Sequence, residues 1–171
     1  MTGFFTVANY KTYGQANGLN DDNYLAFLGS FAAVCNTIRF LWSSALDSFP
    51  YKLVYGLLVA IQMLLAFTIA FVSESRGLYA IWVSLILFCE GGHFTLVPNI
   101  LKIIYGEQAT FLYGILFSYT GVSSAIMMLM QGEFISKTVF SYNVFFAVSG
   151  GLSVVALLML RYCFSQKRFG E

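Results

Sequence analysis

The sequence predicts an all-α membrane protein of five transmembrane helices preceded by the end of a sixth. Three observations carry this. Of 171 residues, 58% are hydrophobic and only 10% charged, against roughly 25% charged in a soluble domain. Mean hydropathy is +0.75. The apolar residues gather in five stretches, at about 24–46, 53–72, 78–105, 110–131 and 140–162, each near the ~20 residues that cross ~30 Å of hydrocarbon. The connections are short, so 1–171 read as a single transmembrane helical domain whose first partner is the lipid bilayer.

A net charge of +1 supplies neither a basic surface for nucleic acid nor an acidic tail. The three cysteines, Cys35, Cys89 and Cys163, lie in or at the edge of apolar spans without metal-ligand spacing and read as small core residues. Met1 to Gln15 lacks the basic, apolar and small-residue order of a signal peptide.

Residues Gly3 to Gly14 are too few to cross alone and read as the last turns of a helix. Asp22 or Asn23 is placed to cap the helix that follows. Span one carries Asn36, Arg39 and Ser43 at i, i+3 and i+7, a polar stripe on an apolar helix. Pro50 ends it, being unable to donate a helical hydrogen bond and biasing Phe49 to extended angles.

Span two has Gln62 as its strongly polar side chain, so much of its circumference is expected to face lipid. Gly56 and Ala60 form a small-xxx-small pair. Span three is the longest and contains Phe88-Cys89-Glu90-Gly91-Gly92-His93-Phe94-Thr95-Leu96-Val97-Pro98. Pro98 removes a donor and opposes the Phe94 carbonyl, so a kink or local break is expected.

Span four repeats Gly114, Ser118, Gly121 and Ala125 on one face beside Tyr113, Phe117, Thr120 and Ser124, and is expected to be buried in a bundle. Span five has Ser149, Gly150, Gly151 and Ser153 at its middle. With five crossings, Lys52, Lys102, Arg161, Lys167 and Arg168 share one side, and Lys11, Arg76 and Lys137 the other. That excess places the C-terminus on the cytoplasmic or equivalent inner side.

The succession Asn9-Tyr10-Lys11-Thr12-Tyr13-Gly14, a helix with Arg39 ending in Asp47 and Lys52, Phe88 to Pro98, then Tyr113-Gly114-Ile115-Leu116-Phe117 resembles the C-terminal six-helix half of major facilitator superfamily transporters. It is most similar to the oxalate/formate antiporter branch. The resemblance implies that spans one to five are helices eight to twelve and that Arg39 stands where that branch holds a carboxylate. The stretch Ser43 to Lys52 keeps the aspartate and final lysine of the family's gating loop but loses its glycines and arginine. Span four has neither lysine nor arginine where the branch has a lysine, so dicarboxylate specificity does not carry over.

Substrate-binding candidates are therefore Arg39, Asn36, Tyr113 and Thr120. Arg39 is either an anion-binding cation facing a cavity or a structural arginine that pairs or snorkels. Glu90 and His93, at i and i+3, are proton-coupling candidates or an interhelix polar pair. Asp47, Lys52 and Pro98 are the gating or kink candidates. One histidine and one carboxylate do not complete a metal site, and no nucleophile triad or phosphate loop appears, so no cofactor and no enzyme activity are expected.

The function expected is transport of a small organic anion or monocarboxylate, as half of an alternating-access secondary transporter. Its partners would be the substrate and the missing N-terminal half or other membrane subunits. The alternative is a non-transporting structural subunit derived from such a transporter.

Overall fold

The structure, a computed structural model, describes residues 2–133 and 138–162. Lys137, Cys163, Lys167 and Arg168 lie outside the described residues. Among the described residues seven helices follow in order: α1 (Thr2–Ala16), α2 (Asp22–Thr37), α3 (Phe40–Ser48), α4 (Tyr51–Val72), α5 (Arg76–Tyr105), α6 (Ala109–Glu133) and α7 (Val139–Tyr162), with a 3₁₀ turn at Gly106–Gln108.

Four described stretches are long and apolar enough to cross a bilayer: Asp22–Ser48, Tyr51–Val72, Arg76–Leu129 and Val139–Tyr162. The third does not run straight. Gly106 adopts a φ of +56°, a left-handed angle that favours glycine. The ring of Phe94, before that turn, reaches within 6.3 Å of the ring of Phe117, after it. Residues this far apart along one straight helix would stand about 35 Å from each other, so α5 and α6 form a hairpin, and the described residues hold four to five helices long and apolar enough to cross. The chain is a multi-pass helical membrane protein.

Local signals explain most helix ends. Asp21, rather than Asp22 or Asn23, caps α2, its side chain accepting from the Tyr24 amide at 3.1 Å. Pro50 stands at the start of α4, and Phe49 before it is extended at φ −128°, ψ 151°. The first span differs from the expected single helix. Around Ile38 and Arg39 the bonds run i to i+3: Ile38 N to Cys35 O and Arg39 N to Asn36 O at 3.2 Å, then Leu41 N to Ile38 O at 3.1 Å. A tight 3₁₀ step of this kind divides one span into α2 and α3.

α5 is the axis of the bundle, packing against α1, α2, α3, α4 and α6, while α4 and α7 form the other large contact. Phe5 of α1 stacks on Phe145 with centroids 3.6 Å apart, and Tyr13 donates to Asn143 Oδ1 at 2.6 Å, which ties α1 to α7. α4 buries Val54, Leu58, Val59, Gln62, Leu65, Ala66, Ile69 and Val72, one face of the helix, and exposes Leu53, Leu57, Leu64, Phe67 and Phe71. The two-sided pattern agrees with a lipid-facing circumference, but Gln62 is inside.

Two expectations are corrected. α5 runs unbroken from Arg76 to Tyr105 with Pro98 inside it, so of the kink or local break expected there the break does not form. Packing on five neighbouring helices holds it, although Pro98 leaves the Phe94 carbonyl without its helical amide donor. The second correction concerns α6, which is outermost rather than buried. Phe111, Tyr119, Met128 and Leu129 are exposed, and a Cβ added at Gly114 or Gly121 would meet nothing within 4 Å. A stripe of small residues permits close approach but does not say which helix makes it.

Candidate functional site

Glu90 and Gly91 are the two central residues of the 30-residue α5, and the neighbouring helices converge there. A Cβ on Gly91 would lie 2.1 Å from Asn36 Oδ1 and 2.9 Å from Arg39 Cβ. One on Gly92 would lie 2.3 Å from Leu58 Cδ1 and 2.7 Å from Trp42 Cδ1. On α1, a Cβ on Gly3 would lie 2.5 Å from Glu90 Cβ. The glycines therefore let α1, α2, α3 and α4 close on the middle of α5. They are packing devices, and the polar residues beside them are brought in by that packing.

Glu90 is 7% exposed and Gln62 5% exposed. The Gly3 backbone and the Gln62 side chain face the Glu90 carboxyl. Gln62 Oε1 lies 2.6 Å from His93 Nε2, and in the Nε2-protonated tautomer the imidazole donates. Tyr55 sets its ring edge-on to the imidazole at 5.6 Å. Gln62 is the residue that sequence reasoning left out of the site. Its signal was that a lone amide on an otherwise apolar helix needs a buried partner.

Three buried atoms have no hydrogen-bond partner among the described residues: Asn36 Oδ1, Trp42 Nε1 and Glu90 Oε2. Each such atom costs about 1–3 kcal/mol if left unsatisfied. All three belong to residues packed at the glycines or next to them, so the unmet polar demand is concentrated halfway along the bundle.

Arg39 occupies the 3₁₀ step between α2 and α3. Its stem rests on Gly91 while the residue as a whole is exposed, and among the described residues it makes no ion pair. Its carbonyl accepts from Thr95 Oγ1 at 3.5 Å. The predicted stripe does face one helix: Asn36 and Arg39 meet Gly91, and Ser43 Oγ accepts from Asn99 Nδ2 at 2.8 Å. Arg39 does not join Glu90 and His93 in one enclosed group, as their neighbours are Gly3, Gln62 and Tyr55.

Tyr113 and Thr120, on α6, are half-buried. Thr120 donates to Leu116 O at 3.3 Å, and Tyr113 lies beside Phe117 with ring centroids 5.9 Å apart. Asp47 and Lys52 part company. Asp47 lines a cleft of about 330 Å³ with Ser43, Leu46, Asn99, Lys102 and Ile103, whereas Lys52 lines another with Arg161.

No family model matches the chain, and no solved structure matches it. The chain is similar to apicoplast pyruvate carrier 1 of Toxoplasma gondii, with 32% identity over 106 residues. The match takes in 60% of this chain and 19% of that relative, about a fifth of its length.

Proposed function

We propose that this chain is half of an alternating-access secondary transporter for a small organic anion of the monocarboxylate class, organised like the C-terminal half of a major facilitator superfamily protein. One observation carries the reading: Arg39 is exposed at the level of Gly91, halfway along α5, with no ion pair among the described residues. A guanidinium at the centre of a bilayer costs about 2.5–3.5 kcal/mol on insertion scales. The cost is avoided if its outer face meets a water-filled cavity closed by a second helical half. The likeness to a pyruvate carrier supports a carboxylate as cargo.

In this reading Arg39 and Asn36 bind the carboxylate, and Tyr113 and Thr120 offer hydroxyls from α6 once the second half is docked. Glu90, Gln62 and His93 form the proton-linked group, which rearranges when the helices rock. Asp47 and Pro98 act at the moving end, Lys52 acts from the separate cleft that it lines with Arg161, and the C-terminus lies on the inner side. The deciding experiment is uptake of labelled pyruvate into proteoliposomes that hold this chain together with its other half. Arg39→Ala abolishes uptake and Glu90→Gln uncouples it from a pH gradient. Unchanged uptake in both variants, with the fold kept, removes the site assignment.

A second reading is favoured by a separate observation. Asp47 and Lys52 line different clefts, so the gating-loop pair is not assembled, as expected of a structural subunit that no longer transports. Stoichiometric copurification with a large membrane complex, with no uptake of any carboxylate, supports that reading over the first.

A further inference from the structure

Gln62 sets a single amide between two titratable side chains of α5. Its Oε1 lies 2.6 Å from His93 Nε2, and the same side chain faces the Glu90 carboxyl. Glu90 and His93 stand at i and i+3 on one face of α5, and Gln62, 5% exposed, reaches them from the middle of α4. An amide has one acceptor end and one donor end. With the acceptor turned to His93, the donor end is the one left for Glu90. The two ends are alike in size, so turning the amide over changes its hydrogen bonds without changing the packing. Its partners therefore decide which way it stands.

Each orientation admits only some protonation states. An ionised carboxylate is an acceptor alone, so an ionised Glu90 holds the amide N–H towards itself and leaves Oε1 for His93. Oε1 in turn needs a proton on Nε2. An imidazole with its proton on Nδ1 needs the opposite orientation, which turns Oε1 to Glu90 and needs a proton there. The other groups that act on this pair are Tyr55 from α4, Cys89 on α5 and the amino-terminal charge from the α1 side, while the Arg39 stem packs on the adjoining Gly91. We propose that Gln62 is a positioning residue that excludes one combination, ionised Glu90 with no proton on His93 Nε2, so that the charge of Glu90 dictates the tautomer of His93. Loss of the Glu90 proton is thereby relayed to the far edge of the half-buried ring, whose Nδ1 becomes an acceptor in the neutral imidazole. The inference rests on the proton-linked reading of this group and supplies the residue that couples its two ends.

The sequence holds one histidine, so the full chain carrying isotope-labelled histidine in lipid nanodiscs gives one imidazole in nitrogen NMR, and its two shifts report the tautomer. The charge of Glu90 is read in parallel from the carboxyl infrared band that Glu90→Gln removes. As Glu90 ionises in the wild type, the Nδ1–H form is expected to fall about tenfold or more below the Nε2–H form, the ratio set by leaving a buried hydrogen bond unmade. Gln62→Met keeps the reach of the side chain and removes both polar ends, and its tautomer ratio no longer follows Glu90. In Glu90→Gln, where residue 90 both donates and accepts, the ratio of the neutral tautomers stays constant through the titration. Helicity controls for folding, and where Gln62→Met does not fold the wild-type titration decides. An Nδ1–H form that persists beside ionised Glu90, a Gln62→Met variant that still follows Glu90, or a Glu90 that stays protonated wherever the chain is folded overturns the proposal. These spectra need no cargo: the tautomer dependence without uptake removes the transport reading alone, and coupled uptake without the dependence removes this inference alone.

Discussion

His93 Nε2 lies 2.6 Å from Gln62 Oε1, a contact that joins the middle of α5 to the middle of α4. A second polar link joins the same two helices, Trp82 Nε1 donating to Thr68 Oγ1 at 2.9 Å. Replacing Gln62 by leucine leaves the imidazole without that partner, at a cost of about 1–3 kcal/mol. Such bonds in membrane bundles are worth on average ~0.6 and at most ~1.7 kcal/mol by double-mutant cycles. A cycle of Gln62→Leu and His93→Phe, read by unfolding in detergent, should give a coupling in that range. Strictly additive effects would refute the contact.

The glycines of α5 and α6 make opposite predictions. At Gly91 a methyl meets Arg39 Cβ at 2.9 Å, and at Gly92 it meets Leu58 Cδ1 at 2.3 Å. Either alanine variant forces neighbouring helices apart and is expected to cost about 1–3 kcal/mol. At Gly121 a methyl meets nothing within 4 Å, so Gly121→Ala is neutral or stabilising by up to about 1 kcal/mol through helix propensity. Thermal unfolding of the three variants checks the order. A Gly121→Ala that destabilises as much as Gly91→Ala would mean the open face of α6 is in fact covered.

Much of this bundle was legible in the sequence, because length and hydropathy alone locate helices that must satisfy their backbone inside a bilayer. The extended Phe49 before Pro50 and the facing of Asn36, Arg39 and Ser43 towards one neighbour both follow from local pattern. What did not follow was pairing. Nothing in the spacing of Gly114 and Gly121 says that α6 would stand outermost, and nothing near Gln62 says that His93 would be its partner. The 3₁₀ step at Ile38–Arg39 was also hidden, as neither residue breaks a helix by itself. Pro98 does not break α5, since a helix held by five neighbours accommodates a proline that would break an isolated one.

Asp21 has two interactions that a pair of substitutions separates. Its side chain accepts from the Tyr24 amide at 3.1 Å and meets Arg76 Nη1 at 3.4 Å, with the two side chains 40% and 61% exposed. An exposed ion pair contributes at most about 1 kcal/mol and often nothing, whereas loss of a helix cap costs typically about 1 kcal/mol. Asp21→Ala is therefore expected to lower stability measurably, and Arg76→Ala to change it little. Asp21→Asn and Asp21→Ser, which keep the cap without the charge, should behave like wild type. If they are as unstable as the alanine variant, the ion pair is the stronger interaction.

Arg39 tests whether the outer face of the α2–α3 step meets water or lipid. The side chain is exposed and makes no ion pair among the described residues, so its removal leaves no buried group unpaired. Surface substitutions of that kind stay within about 0.5 kcal/mol, and Arg39→Ala should unfold like the wild type. A transport role separates activity from stability here, with uptake lost and the fold intact. A cysteine at position 39, in a background with Cys35, Cys89 and Cys163 changed to serine, reports the surroundings directly. In the assembled transporter, a charged, membrane-impermeant thiol reagent should label it from one side, and a carboxylate substrate should slow the labelling. If position 39 resists that reagent but accepts an apolar one, the arginine faces acyl chains and the cavity reading is lost.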